Sequence, residues 1–278
     1  MSQSLSNKKI LVVCNSSFAF KYFLIPLVNK LYLLNVKIYL IIGKDIQNKE
    51  LDIKKYNVFF IKMPKRNIFN LFSFYNTLTQ IRAIILKEKF DLIIANNRDA
   101  SFCTRLSLFF IKRHKPILIY FARGFYFNDS QNIISWLFSY LIEVLLLFKT
   151  HTILSQSIED IKKMKFFLNI FKIKFFWVGN GVDSKFFYKP LNKKKDYIHF
   201  VTTCRITPGK GLEDLLVVFN SLIKKYSNIK LTVIGGAVSN SDKIYLANLL
   251  NKKSIFKEKT YIEITGVISD VTNKLRQC

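Results

Sequence analysis

The stretch KKILVVCNSSFAFKYFLIPLVNKLYLLNVKIYLIIG (Lys8–Gly43) decides the fold. Its first run, Lys9–Cys14, is short, apolar and rich in β-branched residues, which predicts a strand buried on both faces. Phe20, Phe23, Leu24, Leu27, Leu31 and Leu34 then recur at the spacing of one helix face, and Val36–Ile42 is a second apolar strand closed by Gly43. Strand, helix and strand in so few residues make a βαβ unit, whose strands run parallel.

Downstream the pattern repeats. Val58–Met63, Asp91–Ala95, Pro116–Phe121 and Thr152–Ser155 read as further strands, and a long helix from Ile68 to Lys89 places Leu71, Tyr75, Leu78, Ile81 and Ile85 on its buried side. Such alternation predicts an α/β, doubly wound parallel sheet. After Trp177 the turn residues Gly179–Asp183, then Pro190 and the charged run Lys193–Lys195, mark a boundary between a domain at 1–178 and a second at 179–278. There the alternation restarts: strand His199–Thr203, helix Leu212–Lys225, strand Ile229–Ile234 ending in Gly235-Gly236, helix Asp242–Leu250 and strand Tyr261–Ile264. Three strands are fewer than the five or six of a typical sheet, so the second domain is expected to be incomplete.

Of the 278 residues half are hydrophobic and 22% charged, enough apolar material for a core. Lys and Arg number 44 against 18 Asp and Glu, a net charge of +26. That excess is even: 27 basic and 10 acidic residues over 1–178, 17 and 8 over 179–278. An even spread fits compositional drift, or attraction to an anionic membrane surface, better than a nucleic-acid site, and no RNP, zinc-finger or KH pattern is present. Cys14, Cys103, Cys204 and Cys278 are scattered, and His114, His151 and His199 form no ligand spacing with them, which argues against a disulfide framework and a structural zinc. The polar start MSQSLSNKK enters ILVVC without a signal-peptide h-region, so a cytoplasmic location is expected. Ile133–Phe148 (IISWLFSYLIEVLLLF) falls short of the ~20 residues of a span and carries Glu143, and so predicts a buried or surface-seated helix. Lys65–Tyr75 (KRNIFNLFSFY) sets a basic pair before an aromatic face, as an interfacial or core-facing helix would.

Chemistry gathers at Arg205 and Lys210. In R-I-T-P-G-K they lie between a strand end and a helix start, with Gly209 and Gly211 flanking Lys210, an arrangement suited to a diphosphate. Around them W-V-G-N-G-V-D-S-K-F-F (Trp177–Phe187), T-C-R-I-T-P-G-K-G-L-E-D-L-L (Thr203–Leu216), L-T-V-I-G-G (Leu231–Gly236) and I-E-I-T-G-V-I-S-D-V (Ile262–Val271) resemble, in order, the motif series of the retaining GT-B glycosyltransferases of family 4. Upstream, F-L-I-P-L-V-N-K-L (Phe23–Leu31), F-D-L-I-I-A (Phe90–Ala95) and A-R-G-F-Y-F-N-D (Ala122–Asp129) resemble the bacterial members that add sugars to undecaprenyl-diphosphate-linked intermediates.

The resemblance implies GT-B architecture, with an acceptor-side first domain and a nucleotide-sugar donor domain second. It implies retaining transfer from a UDP-sugar-like donor to a lipid-linked or cell-surface glycan acceptor. It implies that no cofactor or metal is needed, and a peripheral place on the inner face of the cytoplasmic membrane is expected. Arg205 and Lys210 would hold the donor diphosphate, Gly235 and Gly236 would admit the nucleotide, and Ser16, Ser17, Arg123 and Gly124 would lie near the donor. Asn180, Gly181 and Asp183 would form the hinge. Three departures stand out: Arg123-Gly124 replaces the family's His-Gly, Asn96-Asn97-Arg98-Asp99 replaces its His-rich stretch, and Ser16-Ser17 replaces a glycine-containing loop. The paired glutamates of the E-x7-E motif would fall beyond Cys278, so the expectation is a truncated chain with little or no turnover. The rivals are a non-catalytic remnant that binds membrane or a partner, and a basic nucleic-acid-binding protein.

Overall fold

The computed structural model describes residues 6–44, 53–64, 71–112, 114–125, 127, 132–181, 196–251 and 261–278. It divides into two compact units, Met1–Asn180 and Gly181–Cys278. In the first, the strands are β1 (Lys9–Cys14), β2 (Lys37–Gly43), β3 (Asn57–Ile61), β4 (Leu92–Asn96), β5 (Ile117–Ala122), β6 (Thr152–Ser155) and β7 (Lys174–Trp177). They form a parallel sheet in the order β3-β2-β1-β4-β5-β6-β7. β1 is central, with Ile10 opposite both Ile38 of β2 and Leu92 of β4.

Its side chains alternate between two cores, which is why the run is apolar throughout. Leu11 and Val13 join Ile41, Ile93, Leu118, Tyr120 and Ile153 on one face. On the other, Ile10, Val12 and Cys14 join Ile38, Leu40 and Ile42. That second core is covered by α1 (Ser17–Phe23) and α2 (Ile25–Leu33), through Phe20, Val28 and, between the two helices, Leu24. The expected single helix is two because Pro26, in the first turn of α2, has no N–H to give a preceding carbonyl. Phe23 lies outside this core and is about half exposed.

The first core is packed by α3 (Leu71–Glu88), α4 (Arg98–Phe109), α5 (Ile133–Leu146) and α6 (Ile158–Ile170). At the start of α3 the inward positions are Phe74 and Thr77, not Tyr75: Phe74 packs on Phe102, buried Thr77 donates to the Lys62 carbonyl at 2.9 Å, and Tyr75 is exposed. Ile81 and Ile85 are buried as expected. Most of Lys65–Tyr75 lies outside the described residues. Strand β7 is a seventh that the apolar pattern did not mark.

Helix α5 lies on the surface. Trp136, Tyr140 and Val144 pack inward, and Ile133, Ile134, Leu137, Phe138, Leu141 and Leu145 are exposed, Ile134 by 79% and Phe138 by 66%. Its acid, Glu143, faces the interior and pairs with Arg105 of α4 at 2.9 Å, both side chains fully buried. Among the described residues no helix is long and apolar enough to cross a membrane.

The second unit carries the parallel sheet β10-β9-β8, with β8 at Ile198–Thr203, β9 at Ile229–Ile234 and β10 at Ile262–Ile264. Its helices are α7 (Leu212–Ile223), α8 (Asn240–Asn251) and α9 (Val271–Gln277). Leu212, Leu216, Phe219 and Ile223 bury one face of α7 against Leu231 and Val233, the i, i+4, i+7 pattern of an amphipathic helix.

Both units close their first βαβ turn alike. Gly43, ending β2, lies so near the Asn15 carbonyl just past β1 that a Cβ would overlap it. Gly235, just past β9, stands in the same relation to the Cys204 carbonyl just past β8, with φ 146°.

Candidate functional site

In a doubly wound sheet, ligands bind beyond the carboxyl ends of the strands where the winding reverses. Here that point is between β1 and β4, and it opens as a cleft of about 320 Å³ lined by Asn15, Asn97, Arg98, Asp99, Arg123, Gly124 and Phe125. Asn97 donates to Asn15 Oδ1 at 2.6 Å and caps α4, accepting from the Ala100 N–H at 3.4 Å, with its own φ at 61°. A positive φ in a non-glycine residue costs of order 1–3 kcal/mol, and here it is held by bonds at both ends of the amide. Asp99 accepts from Asn15 Nδ2 at 3.4 Å and lies 3.5 Å from Arg98 Nε.

Arg123 is half-buried. Its Nε donates to Asn96 Oδ1 at 3.0 Å, and its guanidinium lies over the rings of Phe23 at 4.1 Å and Phe121 at 5.0 Å. Asn96 is fully buried and gives its Nδ2 to Cys14 Sγ at 3.6 Å. Burial pushes the Cys14 thiol up, so the sulfur is neutral at physiological pH. Beside Arg123, Gly124 has φ 115° and open space where a side chain would stand. Ser16 is the N-cap of α1, its hydroxyl accepting from the Ala19 N–H at 3.2 Å, and Ser17 is buried; neither lines the cleft.

At the strand ends of the second unit, Arg205 donates through Nε at 2.9 Å and Nη2 at 2.6 Å to Asp242 Oδ2. The guanidinium is half exposed and the carboxylate buried. Asp242 also accepts from the Ser239 N–H at 3.0 Å while its own N–H donates to Ser239 Oγ at 3.2 Å, the reciprocal capping box of α8. The Ser239 N–H, then Arg205, hold this carboxyl well below the usual carboxylate range. Its folded-state pKa being depressed, the stability it lends is complete above pH ~4 and is lost as pH falls from there toward that pKa. We expect the urea midpoint of the chain to fall more steeply between pH 5 and pH 3 than that of Asp242→Asn; parallel curves would contradict it.

Lys210 is exposed in the turn before α7, whose N-cap is Gly211 at φ 70° and whose first turn holds Glu213 and Asp214. Those two carboxylates already complement the helix dipole. Gly235 and Gly236 are accounted for by the chain's own packing, against Cys204 and against Val267 and Gly266. The boundary between units falls between Asn180 and Gly181, both exposed; Asp183 lies outside the described residues.

Sequence reasoning singled out Arg123 and Gly124 and did not assign Asn15, Asn97, Arg98, Asp99 or Phe125 to the cleft. It also missed Asp242 as the partner of Arg205, although Ser239-Asn240-Ser241-Asp242 spells a capping box.

No family model matches the chain. Over 202 residues it is 26% identical to the capsular polysaccharide biosynthesis glycosyltransferase CapM of Staphylococcus aureus, an alignment that takes in 66% of this chain and 52% of that protein. The match thus spans about half the length of that relative. Among solved structures, a glycosyltransferase from Rickettsia africae superposes with a TM-score of 0.69 at 19% identity, over 96% of this chain and 70% of its own. HepE of Anabaena, in complex with UDP and glucose, gives 0.64 at 12% identity over 98% and 73%. The fold is that of the GT-B glycosyltransferases. It is shared with enzymes of other activity, since the UDP-GlcNAc 2-epimerase of Methanocaldococcus jannaschii gives 0.59 at 15% identity over 97% and 75%.

Proposed function

We propose that the chain transfers a sugar from a nucleotide-sugar donor to a lipid-linked or cell-surface glycan acceptor, with retention at the anomeric carbon. The similarity to CapM carries this reading, because the fold alone is common to transferases and epimerases. Neighbours crystallised with UDP or UDP-glucose support a uridine donor. The second unit holds that donor, and the first faces the acceptor, with Asn180, Gly181 and Asp183 as the hinge. Charge developing on the leaving diphosphate is met by Arg205 and Lys210 rather than by a metal ion. Asp242 keeps the Arg205 fork oriented, and the N–H groups it leaves uncommitted are the ones offered to phosphate oxygens.

Lys210 supplies the second cation. Its removal is expected to weaken UDP binding by about 1.5–3 kcal/mol, on the order of ten- to a hundredfold. Calorimetry with UDP on the chain and on Lys210→Ala measures this; equal affinities would sink the donor assignment.

The acceptor reading brings a membrane with it. Besides the apolar stripe of α5, α6 exposes Phe166 and Ile170 along with the cations Lys162, Lys163 and Lys165. Tyr140 of α5 donates to the Lys163 carbonyl at 3.0 Å, so the two helices are neighbours. An apolar helix face flanked by lysines suits the interface of an anionic leaflet on the cytoplasmic side. The chain should sediment with anionic vesicles at low salt and be released at high salt, and Phe138→Asn with Leu141→Asn should lower the bound fraction several-fold. Retention through alkaline carbonate washing, or no effect of the double variant, would refute this.

A further inference from the structure

We propose that the cleft at the carboxyl ends of β1, β4 and β5 receives a sugar bearing an oxyanion, a carboxylate or a phosphate, which binds the guanidinium of Arg123. The proposal rests on the transferase reading only for the ligand being a sugar. The anion follows from how Arg123 is held.

The charge of Arg123 has no counterpart among the described residues. The cleft's carboxylate, Asp99, is engaged by Arg98 at 3.5 Å and by Asn15 at 3.4 Å. Cys14, close enough to feel the Arg123 charge, is kept a neutral thiol by burial. Asn96 offers a carbonyl dipole to Nε and no charge. With Arg98 set against Asp99, the cleft keeps one positive charge in excess. Desolvation pushes the Arg123 pKa down, yet a guanidinium stays protonated, so the cation bears the cost of partial burial with no carboxylate set against it among the described residues.

It is also held in one orientation. Phe23 and Phe121 lie against the guanidinium, and Nε is tied to the fully buried Asn96, whose amide is itself fixed by its bond to Cys14. Among the described residues that leaves the terminal pair of nitrogens, the two-pronged edge that matches a carboxylate or phosphate. Asn15 and Asn97, which line the same cleft, supply amides for the hydroxyls of a sugar. The volume, about 320 Å³, is at the lower end for ligand pockets and suits one monosaccharide unit.

The test uses the full chain labelled with nitrogen-15 and follows the arginine Nε–Hε signals, that of Arg123 being the one absent from Arg123→Gln. Glucuronate, glucose 6-phosphate and glucose are titrated separately, and UDP is titrated on the same samples. At least one anionic sugar should move the Arg123 signal and bind ten times or more as tightly as glucose. Whichever does so tells carboxylate from phosphate. Arg123→Gln should bring that affinity down to the level of glucose, with Arg123→Lys between. Equal binding of all three sugars, or a signal moved by UDP and by neither anionic sugar, overturns the proposal whether or not the variants fold. UDP binding with no response to the sugars defeats the proposal and leaves the transferase reading standing. A response to an anionic sugar without UDP binding does the reverse.

Discussion

Replacing Glu143 by alanine should cost the first unit about 3–5 kcal/mol, because it leaves the Arg105 charge buried with no counter-ion. Among the described residues Arg105 would keep only its Nε bond to the Ser101 carbonyl at 3.4 Å and the Tyr120 ring 4.3 Å from its guanidinium. Among the described residues Nη1 of Arg105 and Oε1 of Glu143 find no hydrogen-bond partner even in the intact pair, so there is little else to absorb the loss. Domains are stable by about 5–15 kcal/mol, which makes this a large share. The double variant Arg105→Met with Glu143→Leu removes both charges and should recover most or all of the stability, since an apolar pair avoids the desolvation penalty. Urea unfolding followed by tryptophan fluorescence measures both. A change below ~1 kcal/mol for Glu143→Ala, or a double variant no better than the single one, would show that the pair does not hold α4 to α5.

Nearly as large an effect is expected at Gly43 and Gly235. A methyl group at either would overlap a backbone carbonyl oxygen, that of Asn15 or of Cys204, which cannot rotate away as a side chain could. Forced overpacking costs 1–3 kcal/mol and more when the obstacle is backbone, so about 3 kcal/mol or more is expected for Gly43→Ala. Gly235→Ala adds the strain of φ 146°. Gly181→Ala, which meets nothing within 4 Å, is the control and should lie within about 0.5 kcal/mol of the parent. If the three variants unfold at the same denaturant concentration, the turn closure is not what requires glycine there.

These glycines also show where the sequence was legible. The strands that meet at the sheet centre, β1, β2, β4 and β5, are apolar runs that no helix period fits, and they were readable at once. Strand β7 was not, because KFFW is four residues long with most of its side chains outside the core, so neither length nor alternation marks it. Pro26 announced the break between α1 and α2, but the helical spacing runs on through it. The cleft was hardest. Asn15 and Asp99 are 84 positions apart, and only the reversal of winding between β1 and β4 joins them. Arg205 and Lys210 were visible as cations on a turn; that one of them is matched by Asp242 needed the path of α8.

The central position of β1 has a consequence for how the chain is made. Ile10 pairs with Leu92, so one side of β1 stays unsatisfied after it leaves the ribosome until its partner, some eighty residues later, has emerged. At ~5–20 residues per second that is a wait of roughly 4–16 s, during which an apolar strand with an open edge is available to other chains. Completion of this sheet therefore waits on downstream synthesis, with a dependence on holding chaperones that a local, helical topology of the same length would not have.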